Sequence, residues 1–252
     1  MNLPAAASDA CLVPIPPLVE PPNWARLPIE ECGEPLIALT NGEGNIFVRA
    51  LYAEQNIPGA PTTIWVRSGV RDRLFVAAQT LPPGVSLVVF DGHRPLMVQR
   101  FLWDSFYNEI ARARPELTDE AVTAQTAQFV ASPSADPSCP PPHRTGGAVD
   151  VYLVETAEQE PLPMGTEPDE TVDESATRFY EEATETPYNR TFALKAFREN
   201  RRLLFHAMVG AGFTNYRGEW WHFDFGNQRW ANCSGAGRAI YGIAAEPVAT
   251  AA

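Results

Sequence analysis

The sequence predicts a single α+β domain with a central, mainly antiparallel sheet flanked by helices. Two observations favour this fold: single strands are interleaved with helices, and they follow no regular βαβ repeat. The 252 residues are 45% hydrophobic and 20% charged, which is typical of a globular chain with a substantial core. We expect the domain to span residues 36–235, between a proline-rich N-terminal arm (1–35) and a C-terminal tail (236–252).

Four segments are predicted to be strands. Residues 62–66 are β-branched and aromatic, and 85–90 form an apolar run between turn signals. Residues 148–154 alternate, which places Asp150 on the same face as its second neighbours along the strand. An aromatic run at 219–225 is expected to be the last strand.

Helical spacing of apolar residues predicts the helices. They are expected at residues 72–80, at 96–113, at 118–131 with Thr118 as the N-cap, and at 191–210. Residues 132–142 hold five prolines and are predicted to form a loop. The acidic segment 155–187 is a long excursion, and its simplest interpretation is a solvated loop.

The net charge of −12 argues against nucleic acid as a partner, because no basic stripe is present to neutralise phosphates. No apolar run is long enough to span a membrane. Residues 1–19 contain no Lys or Arg and are interrupted by prolines, unlike a signal peptide. We therefore expect a cytoplasmic protein, or a periplasmic one if the N-terminus is processed.

The cysteines give little information about function. Cys11, Cys32, Cys139 and Cys233 are widely spaced and form no CxxC pair, which argues against a structural zinc cluster. Cys139 and Cys233 each flank a motif and could approach one another, but spacing alone does not favour a disulfide.

His143, Asp150 and His222 are candidate ligands of one metal ion. Two neutral imidazoles and a carboxylate suit Zn²⁺ and leave a coordination position open for water. His143 by itself also fits an exposed loop residue, and His222 a hydrogen-bonded residue of a core strand. An aspartate within an apolar strand is the better indication, because a buried carboxylate requires a partner. Gly146 and Gly147 would let the loop fold back towards Asp150.

Two further residues are candidates for catalysis. Glu219 lies three residues before His222, where it could handle a proton, provided that the backbone twists or bulges between them. Arg94 follows the 85–90 strand and either pairs with Asp91 to fix a turn or stabilises an oxyanion. His93 is expected to be exposed at a helix entry, and His206 to be structural.

Three separated motifs carry a family resemblance. Residues 90–95 (FDGHRP), 142–150 (PHRTGGAVD) and 219–223 (EWWHF) resemble, in the same order, the D-alanyl-D-alanine dipeptidases. These zinc peptidases are related to D,D-carboxypeptidases and to the metal-binding domain of hedgehog proteins. The similarity covers roughly residues 30–232 and implies the hedgehog/D,D-peptidase fold.

The resemblance also implies roles for individual residues. His143, Asp150 and His222 would bind one Zn²⁺ per chain, Glu219 would be the general base and then acid, and Arg94 would stabilise the oxyanion. Asp169 matches a family aspartate that holds the substrate's ammonium group. The family often has a serine two residues before the first histidine, whereas this chain has Pro141, which has no side-chain donor or acceptor.

The sequence therefore predicts a zinc-dependent enzyme that hydrolyses D-Ala-D-Ala, with a small dipeptide as its binding partner. Two alternatives remain: a D,D-carboxypeptidase acting on peptidoglycan stem peptides, and a non-catalytic zinc module that binds peptides. The sequence does not indicate the oligomeric state, the physiological role, or the residue that binds the substrate carboxylate.

Overall fold

A five-stranded sheet forms the centre of the computed structural model, which describes residues 10–20, 22–182 and 191–247. In sheet order its strands are β2 (Ile46–Val48), β4 (Val85–Asp91), β5 (Ala148–Glu155), β7 (His222–Asp224) and β6 (Thr214–Asn215). β1 (Leu36–Ala38) and β3 (Trp65–Arg67) pair in a separate antiparallel sheet. Only β2 and β4 run parallel among the described strands, so the predicted α+β fold with a mainly antiparallel sheet is confirmed.

Helices surround this sheet. They are α1 (Leu51–Glu54), α2 (Ser68–Gln79), α3 (Leu96–Ala113), α4 (Asp119–Phe129), α5 (Phe179–Glu182), α6 (Thr191–Gly210) and α7 (Gln228–Ser234). α2 and α6 contact each other and the sheet, and their buried Leu74 and Leu204 belong to the same core as Leu87 of β4. Each such side chain contributes about 1.5–3 kcal/mol by leaving water. α3 and α4 pack against one another.

Three predicted boundaries are wrong, and one of them is the start of the strand predicted from residue 62, which begins only at Trp65. The last strand begins at His222 rather than at residue 219, because residues 216–222 turn back on themselves through hydrogen bonds from Glu219 N to Tyr216 O and from His222 N to Glu219 O. In a regular strand Glu219 and His222 would lie on opposite faces of the sheet. This turn is the irregularity that lets both side chains face one site. Helix α2, expected at residues 72–80, begins at Ser68, four residues before the predicted start. Thr118 caps α4 as expected, its side chain accepting from Ala121 N.

The described part of the acidic segment, up to Glu182, is packed against the domain rather than forming a solvated loop. Leu162 N donates to Leu153 O beside β5. The buried guanidinium of Arg201 on α6 donates to the backbone oxygens of Met164, Glu174 and Ala176, at 2.8 Å in each case. Residues 183–187 of the predicted excursion lie outside the described residues.

The described parts of the arm and the tail also contact the domain and each other. Glu30 N donates to Ala239 O and Cys32 N to Ile240 O. Further along the arm, Ile15 N donates to the Glu181 carboxylate at 3.0 Å. Residues 1–9 and 248–252 lie outside the described part of the chain.

The structure decides two expectations about single residues, namely the exposure of His93 and the pairing of Cys139 with Cys233. His93 is only 2% exposed, so the prediction of an exposed residue at a helix entry is wrong. Its backbone N donates to Trp65 O, and this bond holds the turn after β4 against β3. Cys139 and Cys233 are both free. None of the described helices has the length and apolarity needed to cross a membrane.

Candidate metal centre and active site

The register of the central strands brings two of the candidate ligands together. Asp150 on β5 is paired with His222 on β7, and its neighbour on the other side is Asp91 of β4. Directly opposed residues in antiparallel strands point to the same face of the sheet. The Nδ1 atom of His222 accordingly lies 2.9 Å from Oδ1 of Asp150, and both residues are buried.

His143 reaches the same point from the short 3-10 helix Pro142–Thr145, which ends at Gly146 with φ of +69°. The following Gly147 lies so close to the backbone that an added Cβ would stand 2.4 Å from Phe225 O. These two glycines fold the loop onto the sheet, as predicted. His143 Nε2 lies 3.1 Å from His222 Nδ1 and 3.3 Å from Asp150 Oδ2.

Outer contacts orient both imidazoles. His143 Nδ1 lies 2.8 Å from Gly92 O and 3.3 Å from Asp91 Oδ2, so this nitrogen carries the proton and Nε2 presents its lone pair. His222 Nε2 lies 3.3 Å from Asp224 Oδ1, which favours the tautomer that presents Nδ1. Such carboxylate and carbonyl partners are typical of histidines that bind metals.

The three donors fit a metal ion. Two imidazole lone pairs that face each other at 3.1 Å repel unless a cation or a proton lies between them. Burial lowers the pKa of His222, but the Asp224 and Asp150 carboxylates outweigh it and raise the pKa to about 10. The centre therefore favours positive charge. Ligand atoms of tetrahedral Zn²⁺ stand about 3.3 Å apart, close to the distances of 2.9–3.3 Å observed among these residues.

Glu219 lies beside this centre. One of its carboxylate oxygens is 3.9 Å from His222 Nδ1, and the side chain is 13% exposed. Burial, together with the negative charges of Asp150 and Asp169, raises the pKa of Glu219 to about 8. Its carboxyl group can therefore hold or release a proton near neutral pH.

Arg94 contacts both the turn after β4 and the metal centre. Its Nε donates to Asp91 Oδ2 at 2.8 Å, Nη1 donates to Gln99 Oε1 at 3.1 Å, and Nη2 lies 3.3 Å from Asp150 Oδ2. Pairing with Asp91 and facing the site are thus not exclusive, because Nε and Nη2 contact Asp91 while Nη2 also reaches Asp150. Tyr52 completes the set by accepting from Nη2 at 3.1 Å.

Asp169 joins the site through Tyr52, whose hydroxyl donates to Asp169 Oδ2 at 2.9 Å. The residue as a whole is exposed, but its carboxylate lines the same cavity as Glu219 and Asp150. Burial and the charge of Asp150 raise the pKa of Asp169. A neighbouring bond from Trp220 Nε1 to Thr166 Oγ1, 2.8 Å long, fastens this part of the acidic segment beside Glu219.

All six candidate residues line one cavity of about 260 Å³. The cavity continues past the metal centre between α3 and α4, where Leu102 and Phe106 form part of its wall. Its volume and its mixed apolar and charged lining suit a small polar ligand. The sequence-predicted residues, which lie far apart in the chain, are therefore brought together.

Several residues of the site are not among the candidate site residues that the sequence indicates. They are Tyr52 on α1, Asp91 and Gln99 beside Arg94, Asp224 behind His222, and Tyr216 and Arg229 on the cavity wall. Asp91 and Asp224 could have been suspected as aspartates in apolar strands, by the argument that singled out Asp150. Tyr52 and Arg229 come from an isolated helix and from α7, and no local pattern marks them.

Comparisons with known proteins show the family to which the chain belongs. The model of the peptidase M15 family, described as D-Ala-D-Ala dipeptidase, matches residues 63–234. A D-alanyl-D-alanine dipeptidase from Synechocystis sp. (strain ATCC 27184 / PCC 6803 / Kazusa) is 36% identical over 224 residues, covering 82% of this chain and 88% of that protein.

A solved structure is also similar to this chain, though distantly. It is that of the vancomycin resistance D,D-pentapeptidase VanY from a VanB-type resistance cassette, in complex with Zn(II), with 16% identity and a TM-score of 0.40. The match covers 81% of this chain and 88% of that one. The family model and the Synechocystis relative show that the chain belongs to the peptidase M15 family of D-Ala-D-Ala dipeptidases, which are zinc metallopeptidases.

Proposed function

We propose that this protein hydrolyses the dipeptide D-Ala-D-Ala with one Zn²⁺ per chain and with Glu219 as the general base. The observation that carries the proposal is the meeting, in one cavity, of the donor group His143, Asp150 and His222 with Glu219 and Asp169. A zinc site that served structure alone needs neither a carboxyl of raised pKa nor a second carboxylate facing the cavity.

His143, Asp150 and His222 would hold the ion through Nε2, a carboxylate oxygen and Nδ1. When bound, Zn²⁺ supplies a Lewis acid that acidifies water and polarises the scissile carbonyl. Glu219 then accepts a proton from the attacking water on its carboxylate and delivers it to the leaving amine of the second D-alanine. Its raised pKa supports both transfers, since a base titrating near the working pH accepts and returns a proton readily.

Arg94 would compensate the negative charge that develops on the carbonyl oxygen. Burial opposes the positive charge of this side chain, but the Asp91 carboxylate and other neighbours keep it protonated, with its pKa raised. Asp91 and Gln99 fix two edges of the guanidinium, so little reorganisation is needed when charge develops beside it.

Asp169 would bind the free ammonium group of the dipeptide, with Tyr52 holding the carboxylate in place. An ammonium beside a carboxylate forms a charge-assisted hydrogen bond, among the stronger polar contacts in proteins. Pro141, which replaces the family serine, has no side-chain group for this task. Recognition of the amino end then depends on Asp169 more than in relatives with the serine.

Comparing two substrates separates this proposal from a D,D-carboxypeptidase. We expect D-alanine to be released from D-Ala-D-Ala, and a pentapeptide stem ending in D-Ala-D-Ala to be cleaved far more slowly. Turnover of the stem alone would assign the enzyme to the carboxypeptidases. Stoichiometric zinc without turnover of either substrate would favour a non-catalytic zinc module.

A further inference from the structure

Arg229, on α7, forms part of the cavity wall on the His222 side of the site. Its guanidinium carbon lies 4.1 Å from the ring centroid of Tyr216, and the Tyr216 and His222 rings lie 6.1 Å apart. The side chain is 13% exposed. Arg229 therefore lies next to the metal centre, with the Tyr216 ring between its guanidinium and the His222 ring.

The hydrogen-bonding capacity of Arg229 is unused within the described part of the chain. Its guanidinium donates no hydrogen bond there, and the buried Nε has no partner in hydrogen-bond geometry. The nearest carboxylate oxygens, of Glu20 and Asp224, lie 3.4 and 4.0 Å from Nε. A buried guanidinium with free N–H groups beside a cavity is suited to bind an anion.

Two aromatic rings hold this guanidinium in place. Trp24 of the arm lies 5.2 Å from the guanidinium carbon, in addition to Tyr216 at 4.1 Å. Rings stacked on a guanidinium cover its faces, whereas its N–H bonds lie in the plane. The donors of Arg229 are thus left free by the contacts that fix its position.

Arg94, the other arginine of the cavity wall, is already engaged. Each of its three nitrogens has a partner among Asp91, Gln99, Tyr52 and Asp150. A free dipeptide carries a carboxylate as well as an ammonium group, and burying that carboxylate without a partner is costly. Arg229, in contrast, has guanidinium N–H groups that donate to no described residue.

We propose that Arg229 binds the free α-carboxylate of the dipeptide, whose ammonium group would be held at Asp169 in the same cavity. This inference depends on the proposed dipeptidase function. The contact with Arg229 would restrict the enzyme to substrates that have a free carboxyl end. Glu20 and Trp24 of the N-terminal arm position the guanidinium, so the arm contributes to substrate recognition.

The test compares D-Ala-D-Ala with D-alanyl-D-alaninamide, which lacks only the terminal negative charge. For the unaltered protein we expect kcat/KM to be about 10- to 100-fold higher for the acid, the range that a charged hydrogen bond supplies. In Arg229→Met the ratio of the two values should fall to near one. Arg217→Met, in which an exposed arginine of the adjacent turn is changed in the same way, should keep the original ratio.

A merely structural role of Arg229 would lower kcat/KM for both substrates equally and leave their ratio unchanged, which would overturn the inference. If Arg229→Met does not fold, Arg229→Lys carries the test, because an ammonium retains the charge without the planar fork. Its ratio should fall by about threefold or more, and an unchanged ratio would again overturn the inference. A ratio near one in the unaltered protein would do so too, whereas hydrolysis of neither substrate would overturn the proposed function itself.

Discussion

Asp150 and His222 are cross-strand partners on β5 and β7, and His222 Nδ1 lies 2.9 Å from Asp150 Oδ1. Their meeting is set by strand register rather than by a flexible loop. A shift of one residue would turn one of the two side chains to the other face of the sheet. The folded sheet thus presents two candidate ligands, and the glycine-containing loop after His143 brings in the third.

Replacing Glu219 by Gln tests the proton-transfer role. We expect kcat for D-Ala-D-Ala to fall by about 10²- to 10⁴-fold, the usual contribution of a general base, while zinc content stays near one ion per chain. Zinc is measured by mass spectrometry on the protein used for kinetics. Full activity in Glu219→Gln would rule out the assignment.

The pH dependence follows from the same carboxyl group. Burial and its acidic neighbours raise the pKa of Glu219 from 4.5 to about 8, and a bound cation acts in the opposite direction. Because the ionised form is required, kcat/KM should fall as the pH is lowered through a value between 4.5 and 8. The residual activity of Glu219→Gln should lack this acid limb. An identical limb in the variant would show that another group titrates.

The change Asp169→Asn tests the ammonium site. It keeps the shape of the side chain but removes its charge, so KM for D-Ala-D-Ala should rise about 10- to 100-fold. N-acetyl-D-Ala-D-Ala has no ammonium group, and its slower hydrolysis should be unaffected. Asp173→Asn, an exposed carboxylate of the same segment, is the matched control. Equal losses for both substrates would contradict the role given to Asp169.

Arg201 supports the segment that carries Asp169. Its three bonds to the backbone oxygens of Met164, Glu174 and Ala176 have no replacement in Arg201→Met. We expect the free energy of unfolding to fall by about 2 kcal/mol or more and KM for D-Ala-D-Ala to rise, with zinc retained. Arg198→Met, which removes a single bond to Tyr180 O, should have a smaller effect. Unchanged KM in Arg201→Met would mean that the segment holds its position without this side chain.

The sequence predicted the α+β fold and the candidate residues that line the cavity better than it predicted their surroundings. His143, Asp150 and His222 stand in motifs whose glycines and apolar neighbours mark them as candidate ligands. Tyr52 and Arg229 do not, because each acquires its role only by packing against distant segments. The position of His93 at a helix entry predicts exposure, whereas the bond from its backbone N to Trp65 O draws it inside.

The zinc content of His222→Ala tests the central claim most directly. The unaltered protein should hold one zinc ion per chain, and a circular-dichroism spectrum should show that the variant remains folded. We predict that His222→Ala loses the ion and its hydrolysis of D-Ala-D-Ala, while His206→Ala, which changes a histidine of α6 outside the cavity, retains both. Stoichiometric zinc and undiminished hydrolysis in folded His222→Ala would contradict the account.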